Sequence, residues 1–282
     1  MNVGYAPHNT ADSTALIDHY TTELQSAGIF DLAGSIADIE ESAANGRVAV
    51  AFDLEDAAPL EGKLDRVAEF YDRGVRTLLP TYNYQNDAGS GCMDSIDEGL
   101  SAYGRDLVRE MNVVGMTVDA SHCSPMSGLE MCRLSATPVI YSHTGLGSVY
   151  QCDRNITDDQ ARACAETGGV VGILGMGIFL GENDSSISAV LRHLEYALDL
   201  LGPDHVGLGS DYTFDLDDAI EELTAHPENF PSWFTEYGAP KQVELNEFLS
   251  IGQVLRSRGY DNEIIDKILG GNFKRVANLT WR

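Results

Sequence analysis

Two short stretches of the sequence, 116–124 (MTVDASHCS) and 138–146 (PVIYSHTGL), each close an apolar run with Ser-His. A histidine beside an apolar run is more often a hydrogen-bonded core or surface residue than a ligand. Two in the same context, His122 and His143, at the ends of consecutive strands, read as ligands of one cation, because neighbouring strands lie about 4.8 Å apart. Glu55, in FDLEDAAPLEG, adds a carboxylate, either a solvated turn acid or an oxygen ligand able to bridge two ions, with Asp53 and Asp56 competing for the role. Asp211, after HVGLGSD, is either a turn residue or the base that takes a proton from an activated water. Tyr82 and Asn83 open the loop YNYQNDAGSGC, where a phenol or amide either touches a substrate carbonyl or packs the loop. Arg154, in DRNITDD, reads as a carboxylate clamp, against the plainer reading of an ion pair with Asp153 or Asp158.

These residues need strands to carry them. Short β-branched runs at 2–5, 48–53, 77–80, 116–119, 139–142, 170–174 and 206–209 read as strands buried on both faces of a parallel sheet. Helices fit between them: 35–46 with Ser35 as N-cap, 64–74, 101–115, 157–169 with a Thr157–Gln160 capping box, 185–202 and 262–272. Repeated βα units mean a barrel or a doubly wound sheet. Glu55, Tyr82, His122, His143 and Asp211 follow the ends of five different strands, which a barrel brings round one mouth and an open sheet spreads apart, so a (β/α)8 barrel is expected. No repeat or Pro-rich linker divides the chain, so one domain, 1–282, is expected. The barrel takes eight strands and the reading finds seven, the first at the initiator methionine, so a strand-helix unit is expected to be missing from the front.

Composition narrows the function. The chain is 43% hydrophobic and 22% charged, which is globular, but 18 Lys and Arg stand against 44 Asp and Glu, a net charge of -26. Such a surface repels nucleic acid and anionic lipid, so neither is an expected partner. Only Lys63, Lys241, Lys267 and Lys274 are lysines, which suits a salt-adapted host as well as an ordinary acidic cytoplasmic protein. Five scattered cysteines without a CxxC pair read as free thiols in a reducing compartment. Cys123 is expected to pack. His193 and His226 are expected at the surface, His205 at the stability face of the barrel, and His8 in a loop.

With these residues assembled, the chain resembles the membrane dipeptidase (renal dipeptidase) family, peptidase family M19 of the amidohydrolase superfamily. The resemblance runs from about Ser35 to the end, through AFDLEDAAPLEG, GVRTLLPTYNYQNDAGSGC, GLSAYGRDLVREMNVVGMTVDASHCS, PVIYSHTG, RNITDDQARACAETGGVVGI, LDLLGPDHVGLGSDY and ILGGNFKRV. It implies a binuclear zinc site that hydrolyses dipeptides. Glu55 matches the glutamate bridging both metals, and His122 and His143 the ligands of the second metal. Asp211 matches the acid that handles the water proton, and Arg154 the arginine that meets the substrate carboxylate. Two departures stand out. Tyr82 occupies the position of a family histidine thought to contact the scissile carbonyl. The His-x-Asp motif that holds the first metal is missing, since His8 and Asp12 are four apart. The segment from Tyr212 to about Pro240, with Pro227, Pro231, Trp233 and Tyr237, is expected to wall the pocket. The alternatives are a metal- or ligand-binding barrel without peptidase activity and a hydrolase of another amide or ester. The oligomeric state stays open, a homo-oligomer included.

Overall fold

The computed structural model describes residues 1–226, 228 and 230–282, with the side chain of Asp218 outside the description, and forms two compact units. The first comprises Met1–Val139 and Lys274–Arg282, the second Ile140–Phe273.

In the first unit, strands β1 (Phe30–Leu32), β2 (Val48–Val50), β3 (Phe52–Leu54), β4 (Val75–Leu78) and β5 (Thr117–Asp119) alternate with helices α1 (Thr10–Ala27), α2 (Ile36–Ala44), α3 (Asp65–Asp72), α4 (Ala102–Val114) and α5 (Pro125–Leu134). β3, β4 and β5 pair in parallel, Asp53 opposite Thr77 and Thr77 opposite Thr117. The run 48–53, expected as one strand, is two: β2 pairs with β1, and the chain changes partner at Ala51. Residues 2–5, expected as a strand, run beside β3 with only an isolated parallel bridge, Asn2 with Asp53. Val3 N donates to Asp53 O at 2.9 Å, and Glu55 N donates to Gly4 O at 2.7 Å. Every residue of β5 is buried, its polar Thr117 and Asp119 included. Ser35 caps α2 as read from the sequence, Ser101, expected as the first residue of its helix, caps α4, and Gly115 ends α4 in the left-handed region.

In the second unit, β6 (Val139–Thr144), β7 (Val170–Ile173) and β8 (Val206–Leu208) pair in parallel, Ile140 opposite Val170 and Val171 opposite Val206. The helices are α6 (Asp158–Glu166), α7 (Gly177–Leu180), α8 (Ile187–Leu201), α9 (Leu216–Ala225), α10 (Leu245–Leu249), α11 (Ile251–Ser257) and α12 (Asn262–Asp266). The Thr157–Gln160 capping box opens α6. β6 runs to Thr144, so His143 stands inside the strand rather than just past it. Phe179 of α7 is met edge-on by Trp233 at 6.0 Å and Phe234 at 5.4 Å. Pro227, counted in the expected pocket wall, lies outside the described residues.

His193 is not at the surface as expected; it is fully buried in α8. Its Nδ1 accepts from Leu146 N at 3.0 Å, and its Nε2 donates to Leu180 O at 3.3 Å. The apolar neighbours that α8 carries there desolvate the ring and push its pKa down to about 4. The neutral clamp is therefore whole above the ordinary histidine value and is lost as pH falls from about 6.5 through about 4, a cost of about 3 kcal/mol. We expect urea stability to fall between pH 7 and pH 4 more steeply in the native chain than in His193→Asn, where an amide keeps both bonds and does not titrate. Equal slopes would contradict the clamp.

None of the five cysteines forms a disulfide. Among the described residues no helix is long and apolar enough to cross a membrane.

Candidate functional site

The first unit carries Glu55, Tyr82 and His122; the second carries His143, Arg154 and Asp211. β3 delivers Glu55 one residue past its end. The neighbouring Asp56 is not a second candidate ligand but a bracket. Its Oδ1 accepts from Ala58 N at 2.6 Å and Asn86 Nδ2 at 2.8 Å, and its Oδ2 accepts from Tyr82 N at 2.8 Å. Burial outweighs these bonds and pushes its carboxyl up to about 6. Both oxygens are thus engaged in tying the loop after β3 to the loop after β4, which sets the backbone of Tyr82.

From there the loop grips His122. Tyr82 stacks on the His122 ring, centroids 4.3 Å apart and planes 23° from parallel. Asn83 Oδ1 lies 2.8 Å from His122 Nδ1. The amide expected to touch a substrate or pack the loop therefore meets the histidine. Both residues sit in the left-handed backbone region, Asn83 at φ 55° and His122 at φ 63°, a strained conformation of the kind that collects at functional sites. Tyr5 packs 5.3 Å from Tyr82, and His8 lies 5.0 Å from Tyr5 at the end of this aromatic row. Cys123 packs, as expected: it is buried, Thr81 Oγ1 donates to its sulfur at 3.2 Å, and burial pushes its thiol up to about 12, away from nucleophilic use.

In the second unit Ser142 Oγ lies 2.7 Å from His143 Nδ1. Among the described residues Arg154 makes no ion pair with Asp153 or Asp158. It is 2% exposed, its Nη2 donates to His143 O at 3.1 Å, and its guanidinium lies 5.7 Å from the centroid of the Phe179 ring. Its Nε and Nη1 are buried and have no hydrogen-bond partner among the described residues. Asp211 follows β8 through Gly209, whose missing Cβ would stand 1.7 Å from Ser142 O, so only glycine lets the chain pass that close to β6. Asp211 itself is left-handed at φ 55°, a conformation Asp tolerates better than most residues.

Among the described residues no three or more His, Cys, Asp and Glu side chains are gathered as a cage for an ion. The fit to a metal is therefore judged on the donors. Both imidazoles pass. With the acceptor Asn83 Oδ1 against its Nδ1, His122 favours the tautomer that carries its proton on Nδ1 and its ligating lone pair on Nε2, and Ser142 Oγ, able to donate or accept, is compatible with the same tautomer of His143. The mixture of imidazole nitrogen and carboxylate oxygen suits zinc.

The profile of the membrane dipeptidase family (peptidase family M19) matches residues 9–232. An uncharacterised protein encoded in the pqqA 5′ region of Klebsiella pneumoniae is 30% identical over 269 residues, 91% of this chain and 91% of its own length. An amidohydrolase structure from Pseudomonas aeruginosa superposes with a TM-score of 0.92 at 27% identity, over 99% of this chain and 87% of that one. A metallo peptidase structure from Rhodobacter sphaeroides, liganded with a phosphinate mimic of the dipeptide L-Ala-D-Ala, gives 0.81 at 26% identity, over 96% and 75%. The chain spans less than half the length, 42% and 49%, of two uncharacterised Schizosaccharomyces pombe dipeptidases it also matches. The fold class is thus the one expected, an α/β barrel of the metal-dependent hydrolase type. The chain belongs to the membrane dipeptidase family, peptidase family M19, a family of peptide-bond hydrolases.

Proposed function

We propose that the chain is a zinc-dependent dipeptidase. The observation that carries this reading is the buried Arg154 guanidinium with two donors unspent. A buried cation left in that state is costly, and a ligand carboxylate relieves it by charge-assisted hydrogen bonds. A dipeptide ends in such a carboxylate, and the related R. sphaeroides enzyme takes a dipeptide mimic.

Glu55, His122 and His143 would hold the metal, which when bound acidifies a water and polarises a carbonyl. Asp211 accepts the proton of the attacking water and passes it to the leaving amine. Tyr82 donates from its phenol to the scissile carbonyl oxygen. As a neutral donor in place of an imidazole it brings no positive charge to that oxygen. Arg154 anchors the C-terminal carboxylate and so sets the distance from that end to the peptide bond.

The test is release of amino acids from a dipeptide panel, L-Ala-D-Ala among them, by chelated and zinc-reloaded protein. Cleavage is expected only after reloading, and it is expected to be lost in His122→Ala and His143→Ala. Full activity in either variant, or in the chelated protein, would reject the reading.

A further inference from the structure

We infer that Asn83 is a positioning residue for the metal centre: its side-chain oxygen fixes the tautomer of His122 and so turns the ligating lone pair onto Nε2. This rests on the reading of His122 as a metal ligand.

Three features converge on the pair. First, the bond joins two buried groups, with Asn83 1% and His122 8% exposed, at 2.8 Å. The Nδ1 proton has the buried Asn83 Oδ1 to meet, and an imidazole with its proton on Nε2 would leave two acceptors facing one another. Second, the Asn83 backbone is locked. Met93 N donates to Asn83 O at 2.8 Å, and Gly91 passes so close that a Cβ there would stand 2.2 Å from that oxygen. The left-handed φ of 55° is one that asparagine adopts more readily than most residues. Third, the same loop holds the rest of the histidine. Cys92 N donates to His122 O at 2.8 Å, and Tyr82 covers one face of the ring. The rotation about the ring plane that Tyr82 leaves open is the one Asn83 stops. An outer hydrogen bond that orients a histidine ligand is worth about 10–100-fold in metal affinity.

Asn83→Gly removes the side chain and relaxes the left-handed backbone; Asn83→Asp restores the acceptor. Zn²⁺ affinity of the full chain, measured by competition with a chromophoric chelator, is expected to weaken about 10–100-fold in the glycine variant and to return to within about threefold of native in the aspartate variant. Long-range ¹H–¹⁵N spectra of the metal-free protein are expected to show His122 as the Nδ1–H tautomer in the native chain and as a mixture in Asn83→Gly, which a merely structural role would not produce. Native zinc affinity or an unchanged tautomer in Asn83→Gly would overturn the inference, provided His122→Ala weakens zinc binding. If His122→Ala also binds zinc normally, it is the ligand assignment that falls.

Discussion

Asp211→Asn is expected to lower kcat on a dipeptide by about 10²–10⁴-fold while KM and zinc content stay near native, the signature of a lost proton acceptor. The substitution is clean for a structural reason. Asp211 sits at φ 55°, and asparagine tolerates that backbone as well as aspartate does, whereas alanine would add about 1–2 kcal/mol of strain. The neighbouring turn is set by Gly209 against Ser142 O, not by the carboxylate. Equal melting temperatures with a collapsed kcat would locate the loss in chemistry. A kcat within threefold of native would remove Asp211 from the mechanism.

The strands were legible because their burial is simple. β7 is buried at every residue, and an unbroken apolar run is what such a strand must show. The helix α1 was not legible. Its 18 residues bury only Ser13 and Ile17, so no apolar stripe marks it, although its Asn9–Asp12 capping box was there to be read. β1 was missed because three residues hold too little pattern to separate a strand from a loop. Of the site, the sequence offered candidates by residue type and place near strand ends, with Asp53 and Asp56 as rivals of Glu55. It did not offer what holds them. The Asp56 bracket spans thirty residues to Asn86, and Asn83 lies 39 residues before His122. Nothing local announces such pairs. The two Ser-His pairs look alike in sequence, yet His143 has the adjacent Ser142 against its Nδ1, while His122 has an amide from another loop. Burial of Arg154 was equally hidden, because the acidic residues around it suggest a surface loop.

That burial makes Arg154 the residue with the sharpest substrate signature. Removing it as Arg154→Met keeps a flexible apolar side chain beside Phe179 and leaves no charge stranded, so the fold is expected to keep or raise its melting temperature. Two charge-assisted bonds to a substrate carboxylate are together worth about 3–4 kcal/mol, and kcat/KM on a free dipeptide is expected to fall about 10²–10³-fold, mostly through KM. The same loss is expected in the native enzyme when the dipeptide is offered as its C-terminal amide, because the clamp then meets a neutral group. Arg154→Met should treat acid and amide alike, since the side chain that tells them apart is gone. Steady-state kinetics of both proteins on both substrates decides the matter. A native enzyme indifferent to the amide would show that the unspent donors of Arg154 serve something other than the substrate's carboxylate. A steep fall in the melting temperature of Arg154→Met would show that its bond to His143 O holds the fold.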